Sequence, residues 1–121
     1  MASPENPRPI SSAERALLLR VLAEDFPGNK ALVAQVDDAE VVRTWGYGGL
    51  SVDLRVTGDH VPAEPSGLVP VRALAEAAGE PVGELLVWVK DGMLDSLEYA
   101  WYGLDDPTAL PGAEQIVVGD Q

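Results

Sequence analysis

The stretch that decides the fold is PVGELLVWVKDGMLDSLEYAWY, residues 81–102. Apolar residues alternate with other residues on both sides of 90–92, which predicts a β-hairpin. A three-residue loop at 90–92 pairs Val89 with Met93 and groups the aliphatic side chains on one face. A two-residue loop at 91–92 mixes them with polar side chains. Because a one-residue slip moves every side chain to the other face, the cleaner sorting predicts the three-residue loop.

This register gives the hairpin an aliphatic inner face, with Asp95 as its one carboxylate, and a mixed outer face. The predicted inner side chains are Leu85, Val87, Val89, Met93, Leu97, Tyr99 and Trp101. The predicted outer side chains are Glu84, Leu86, Trp88, Leu94, Ser96, Glu98, Ala100 and Tyr102. Glu84 then lies opposite Glu98, which costs up to about 1 kcal/mol unless a cation lies between them. Either Arg55 or Arg72 neutralises this pair, or the face stays acidic for a basic partner.

Upstream of the hairpin, the sequence predicts one or two helices. Ser11 and Glu14 match a capping box, in which each side chain satisfies a free amide at the start of a helix. Phe-Pro-Gly at 26–28 ends that helix. Asn29 is then expected to cap a shorter helix that runs to about Val36.

After the second predicted helix, the spacing of apolar residues changes from the helical period to the alternation of a strand. Residues 41–45 predict a short strand, and the glycines of 46–49 predict a turn. LSVDLRVT, residues 50–57, alternates in the manner of a half-buried strand. Residues 68–78 suit a strand in their first half and a helix in their second, so both readings stay open. Residues 116–118 are expected to add an edge strand or to dock the C-terminus.

These segments predict a single α+β domain over residues 10–121, preceded by a flexible tail at 1–9. One or two N-terminal helices are expected to pack on a four- to five-stranded, mainly antiparallel sheet.

Charge is distributed unevenly along the 121 residues. The net charge is −12, of which residues 1–72 carry −3 and residues 73–121 carry −9, with Lys90 as the last basic residue. Such a field repels nucleic acid and anionic membranes and attracts a basic protein. Solubility is the simpler explanation of the same charge.

Composition excludes several kinds of site. The chain has no cysteine, which excludes disulfides and thiolate metal sites. We expect no metal and no cofactor, since the glycines at 46–49 precede a strand whereas phosphate-binding loops open a helix. No apolar run approaches the roughly 18 residues of a membrane span. The first residues lack the apolar stretch of a secretory signal, so a cytoplasmic location is expected.

No catalytic residue is predicted. His60, the one histidine, lies in a proline-containing loop and is expected to be solvated. Asp95 near the hairpin tip is expected to be solvated as well, although a carboxylate on an apolar face is a weak candidate acid.

The order of helix, FPG at 26–28, LSVDLRV at 50–56 and the 81–102 hairpin resembles a group of uncharacterised small acidic proteins of high-GC bacteria. Six arginines against two lysines agree with such a source. The resemblance covers most of residues 11–102 and marks a fold, and it offers no catalytic residues to carry over to this chain. In size and charge the chain is also similar to bacterial immunity proteins, which present acidic faces to basic nuclease toxins.

The sequence therefore predicts a small acidic protein-binding domain, most concretely an immunity-like inhibitor of a basic partner such as a nuclease toxin. The predicted partner-binding residues are Asp53, Glu84, Trp88, Glu98, Tyr102, Trp45 and Tyr47. One alternative is a small-molecule enzyme that uses carboxylates such as Asp53 or Asp95. Another is a self-associating subunit, with a homodimer formed through the hairpin face.

Overall fold

The computed structural model describes residues 5–120 and has two helices and eight strands. The helices are α1 (Ser12–Leu22) and α2 (Asn29–Gln35). The strands are β1 (Arg8–Pro9), β2 (Ala39–Trp45), β3 (Ser51–Val56), β4 (Gly67–Leu68), β5 (Val71–Ala77), β6 (Glu80–Lys90), β7 (Met93–Trp101) and β8 (Ile116–Asp120). The α+β class is confirmed, but four to five strands was an underestimate. The additional strands include β1 and β4, which are too short to show an alternating pattern.

All eight strands belong to one antiparallel sheet in the order β1-β2-β3-β7-β6-β5-β8, and β4 pairs with β6 beside β5. Both helices bury their apolar sides against the same face of the sheet, here called the inner face. The fully buried core joins leucines of α1 to leucines and valines of β6 and β7. The opposite side of the sheet is here called the outer face.

The hairpin closes differently from the prediction. Lys90 pairs with Met93, so the loop has two residues, Asp91 and Gly92, with φ of 55° and 79°. Positive φ at both positions is the type I′ turn that Asp-Gly favours, because its twist matches that of the strands. The predicted three-residue loop is therefore wrong.

A β-bulge explains why most of the predicted faces still hold. Val89 pairs with Leu94, whereas Trp88 pairs with Ser96, so Asp95 is an extra residue in β7. One extra residue reverses the parity of the ladder, which compensates for the shorter turn. Beyond the bulge the aliphatic side chains of both strands therefore share the inner face, as predicted.

Because of the bulge, the predicted faces are wrong for the residues near the turn. Leu94, predicted on the outer face, is 2% exposed and belongs to the core. Met93, predicted inside, pairs with the exposed Lys90. Asp95, predicted on the apolar face, is exposed on the bulge. A prediction from regular alternation assumes an unbroken ladder, so it places these three residues on the wrong faces.

A buried glutamine of α2 fixes the turn and the bulge. Gln35 is fully buried, and its Nε2 donates to the Gly92 carbonyl oxygen at 2.9 Å. Its Oε1 accepts from the Leu94 backbone N–H, also at 2.9 Å. The Leu94 N–H lies where the bulge interrupts the ladder, so the glutamine supplies the partner that it would otherwise lack. The Gly92 carbonyl oxygen also accepts from the Ala63 N–H at 2.9 Å.

The start of α1 confirms the capping box and adds an arginine to it. Ser11 Oγ accepts from the Glu14 backbone N–H at 3.1 Å, and the Ser11 N–H donates to Glu14 Oε1 at 2.8 Å. Arg8 donates from both terminal nitrogens to the Glu14 carboxylate, at 3.0 and 2.9 Å. Burial alone would raise the pKa of Glu14, but the hydrogen bonds from Arg8 and Ser11 outweigh it and hold the pKa below its ordinary value.

The N-terminal segment contributes to the fold through β1. Within the expected tail at 1–9, Arg8 and Pro9 pair with β2. Residues 1–4 lie outside the described part of the chain.

The structure contradicts the predicted cap of the second helix and decides between the two alternatives for residues 68–78. Asn29 is the first residue of α2 and does not cap it; its side-chain amide donates to the Leu22 carbonyl oxygen at the end of α1. Residues 71–77 form β5, so the strand reading of 68–78 is the correct one there. Within residues 5–120, no helix has the length and apolarity to cross a membrane.

Candidate functional site

The outer face carries the strongest candidate for a protein-binding site, centred on Trp88. Because the helices cover the inner face, Trp88 is neither beneath them nor sealed in the core, and it is half-buried. Its indole Nε1 donates to Glu98 Oε1 at 3.0 Å. Leu86, which pairs with Glu98 across the ladder, is half-buried beside them. Trp88, Leu86 and Glu98 are here called the Trp88 patch.

The charge of this patch is not compensated by a cation of the described chain. No lysine or arginine of residues 5–120 forms an ion pair with Glu98, whose described partner is the neutral indole. A carboxylate held by an indole is fixed in place yet keeps its full negative charge. It can therefore accept a further charge-assisted hydrogen bond from a cation.

Glu84 does not oppose Glu98 as predicted. Glu84 pairs with Ala100, and its Oε2 lies 3.9 Å from Arg72 Nε on the neighbouring strand. Of the two cations considered from the sequence, Arg72 is thus the one beside Glu84, while Arg55 pairs with another residue. The two carboxylates are therefore not directly opposed, because the true register places them diagonally across the ladder.

Asp53 is also already engaged within the chain. Its Oδ2 accepts from Arg43 Nε at 2.7 Å, and its Oδ1 accepts from the Trp45 indole at 3.0 Å. Asp53 and Trp45 repeat the indole–carboxylate arrangement of the Trp88 patch, but with the charge neutralised. Trp45 lies three strands from Trp88, which is roughly 14 Å at ordinary strand spacing.

The two predicted tyrosines lie away from the patch. Tyr47 is 51% exposed in the turn between β2 and β3, and Tyr102 is 52% exposed just after β7. Among the seven predicted binding residues, Trp88 and Glu98 therefore form the one pair in the described chain whose members contact each other and whose carboxylate has no arginine beside it.

His60 is less solvated than predicted. Its Nε2 lies 2.8 Å from Asp38 Oδ2, and its side chain is 13% exposed. The Thr57 hydroxyl and backbone N–H both donate to the Asp38 carbonyl oxygen, which fixes the aspartate beneath the loop. This contact ties the 58–66 loop to the residues that precede β2.

A second candidate site, missed from the sequence, lies at the end of the hairpin remote from its turn. A cleft of about 420 Å³ is formed between the ends of β5, β6 and β7 and residues 105–111. Tyr99 and Trp101 form one wall, with ring centroids 6.1 Å apart and planes inclined at 52°. The opposite wall comes from a proline-containing loop with no periodic pattern, so no sequence signal predicts the cleft.

Short contacts fix the aromatic wall of the cleft. A Cβ on Gly83 would lie 2.7 Å from the Tyr99 ring, so only glycine lets the ring lie flat on β6. Ser51 Oγ accepts from the Tyr99 backbone N–H at 2.9 Å. The Trp101 indole donates to the Asp105 carbonyl oxygen at 2.6 Å, which joins the two walls.

Tyr99 is 3% exposed, and desolvation raises the pKa of its hydroxyl above the ordinary value. The phenol is therefore neutral at pH 7 and able both to donate and to accept a hydrogen bond.

Comparison with protein-family models gave no match, and neither curated proteins nor solved structures gave a similar chain.

Proposed function

We propose that the chain is a small acidic protein-binding domain that docks on a basic protein through the Trp88 patch, in the manner of bacterial immunity proteins. The observation that carries the proposal is the hydrogen bond between the half-exposed Trp88 indole and Glu98, a carboxylate without an arginine partner in the described chain. A nuclease toxin acting in the same cytoplasm is the most concrete partner.

The patch suits an arginine of the partner. A guanidinium can stack on the Trp88 ring while it donates two hydrogen bonds to the carboxylate. The indole N–H already orients Glu98, so less side-chain freedom is lost when the complex forms. Leu86 supplies apolar contact beside the charged group, as at interaction hot spots.

The remaining acidic residues act at longer range. Residues 73–121 carry −9, which accelerates the encounter with a basic surface and makes it sensitive to salt. Asp53 and Glu84 contribute less than the sequence suggested, because Arg43 and Arg72 lie beside them.

An enzyme that uses Asp53 or Asp95 has weaker support. Asp53 is held by an arginine and an indole, and Asp95 is exposed on the bulge. Neither residue lines the cleft of about 420 Å³.

The proposal is tested by titrating the purified chain against the product of the adjacent gene by calorimetry. We expect Trp88→Ala to weaken binding by about 2 kcal/mol, roughly 30-fold. Glu98→Gln should weaken it about tenfold, since it removes the charge and keeps the shape. Asp95→Asn is the matched control, because it makes the same charge change at an exposed position outside the patch.

Binding that responds to neither salt nor Trp88→Ala would rule out this mechanism. Sedimentation of the chain alone at several concentrations separates the alternative of self-association. A dimer that Trp88→Ala dissociates would assign the patch to a second copy instead of a basic partner.

A further inference from the structure

The cleft at the end of the hairpin has features of a ligand site that is separate from the Trp88 patch. Tyr99 and Trp101 belong to the side of the hairpin that faces the helices, whereas Trp88 lies on the outer face. The cleft therefore requires its own explanation.

The Tyr99 hydroxyl is the first indication of a ligand. Tyr99 is 3% exposed, yet its hydroxyl forms no hydrogen bond with any residue of the described chain. No fully buried side-chain nitrogen or oxygen in this part of the chain lacks a partner. The hydroxyl therefore keeps access to the cleft that Tyr99 lines, and its hydrogen-bonding capacity is directed into it.

The charge of the cleft is the second indication. Asp105 and Asp106 line it, and no lysine or arginine of the described residues does. The π faces of Tyr99 and Trp101 add negative potential to that of the carboxylates. Such a site attracts a cation and repels phosphate or carboxylate ligands.

The apolar residues that line the cleft indicate what the uncharged part of the ligand is. Val82 and Leu110 are among the apolar side chains that line the cleft, and Leu110 packs against the core. An alkyl chain of a few carbons would fit against them. Because the free groups are oxygen acceptors, the cationic group should carry N–H donors, as a primary ammonium does and a quaternary ammonium does not.

We propose that this cleft binds a primary alkylammonium group, with the nitrogen held by the Tyr99 hydroxyl and by Asp105 and Asp106, and with the alkyl stem against Trp101 and Leu110. A free alkylamine and a lysine side chain of another protein share this chemistry. The inference is independent of docking at the Trp88 patch.

The test uses n-butylammonium chloride as the probe, with total chloride held constant. The indole N–H resonance of Trp101, assigned with Trp101→Phe, reports binding in a two-dimensional NMR titration because this N–H donates to the adjacent loop. We expect saturable shifts with a dissociation constant on the order of 1–10 mM, as befits so small a ligand. The uncharged analogue 1-butanol should bind at least about tenfold more weakly.

Three variants locate the interaction. Tyr99→Phe removes only the hydroxyl and should weaken butylammonium about fivefold, the size of one hydrogen bond. The double variant Asp105→Asn with Asp106→Asn should weaken it about fivefold to tenfold. Asp91→Asn with Asp95→Asn is the matched control at the hairpin tip, with the same change in net charge, and should leave the affinity unchanged.

Equal binding of butylammonium and 1-butanol, or no saturable shift of the Trp101 resonance, would overturn the proposal. An equal loss in the hairpin-tip double variant would also overturn it, since net charge alone would then explain the attraction. Nα-acetyl-lysine N-methylamide identifies the source of the ammonium. Binding tighter than that of butylammonium assigns the cleft to a lysine side chain, and equal or weaker binding assigns it to a free amine.

Discussion

Replacing Gln35 with methionine should destabilise the domain more than any exposed substitution on the same helix. The change keeps the length of the side chain but removes its hydrogen bonds to the Gly92 carbonyl oxygen and the Leu94 N–H, both 2.9 Å long. The Gly92 carbonyl oxygen keeps the hydrogen bond that it accepts from the Ala63 N–H at 2.9 Å, so only the Leu94 N–H is left without a partner. A buried backbone group without a partner costs about 1–3 kcal/mol and the other lost hydrogen bond about 1 kcal/mol, which predicts a loss of about 2–4 kcal/mol. That is a large share of the roughly 5–15 kcal/mol by which such domains are stable.

The free energy of unfolding is measured by urea denaturation, with the slope of the transition checked for constancy. Lys30→Met is the matched control, since Lys30 is exposed on the same helix and its change should lie within about 0.5 kcal/mol. Amide hydrogen exchange adds a local measurement, because the Leu94 N–H should lose protection first. A loss in Gln35→Met no greater than that in Lys30→Met would refute the role assigned to the glutamine.

Three further predictions concern the rest of the fold. Arg8→Ala should cost about 1–2 kcal/mol at pH 7. Because the pKa of Glu14 is held below its ordinary value, this difference in stability from wild type should persist above about pH 4.5. It should disappear as the pH falls through the pKa of Glu14 in the folded state. A difference in stability that grows in acid would contradict this role of Arg8. Gly92→Ala should cost at least about 2 kcal/mol in thermal and urea unfolding, because its φ is 79° and a Cβ would lie 2.5 Å from a proline side-chain carbon of the neighbouring loop. Ser51→Ala should cost about 1–3 kcal/mol by leaving the buried Tyr99 N–H unpaired, and an unchanged urea midpoint would show that water replaces the hydroxyl.

Local patterns predicted much of the fold. The capping box at Ser11 and the alternation of residues 50–57 each specify their structure through contacts within a few residues. The hairpin register was mispredicted because turn length and the Asp95 bulge compensate each other. A two-residue turn with a bulge at Asp95 puts most side chains on the same faces as a three-residue loop with an unbroken ladder. The alternation of residues therefore could not distinguish the two.

The candidate site was only partly predictable for a similar reason. Trp88 and Glu98 were identified because aromatic and acidic residues alternate with aliphatic ones along the hairpin. The arginines beside Asp53 and Glu84 depend on which strands are neighbours, and a single sequence does not specify strand order. The cleft depends on where the loop after Tyr102 packs, and glycine and proline there carry no periodicity.

The two borders of the sheet differ in a way that limits how copies could join. At one border, β1 has two residues, and Pro9 has no N–H to offer a further strand. At the other, β8 runs for five residues, and its outward side pairs with no strand of the described chain. The most extensive main-chain pairing between copies would thus use β8 twice, once from each molecule about a two-fold axis. Such a contact would consume the longest unpaired border in the described chain of each partner. Further growth would then depend on the few residues of β2 that β1 does not cover.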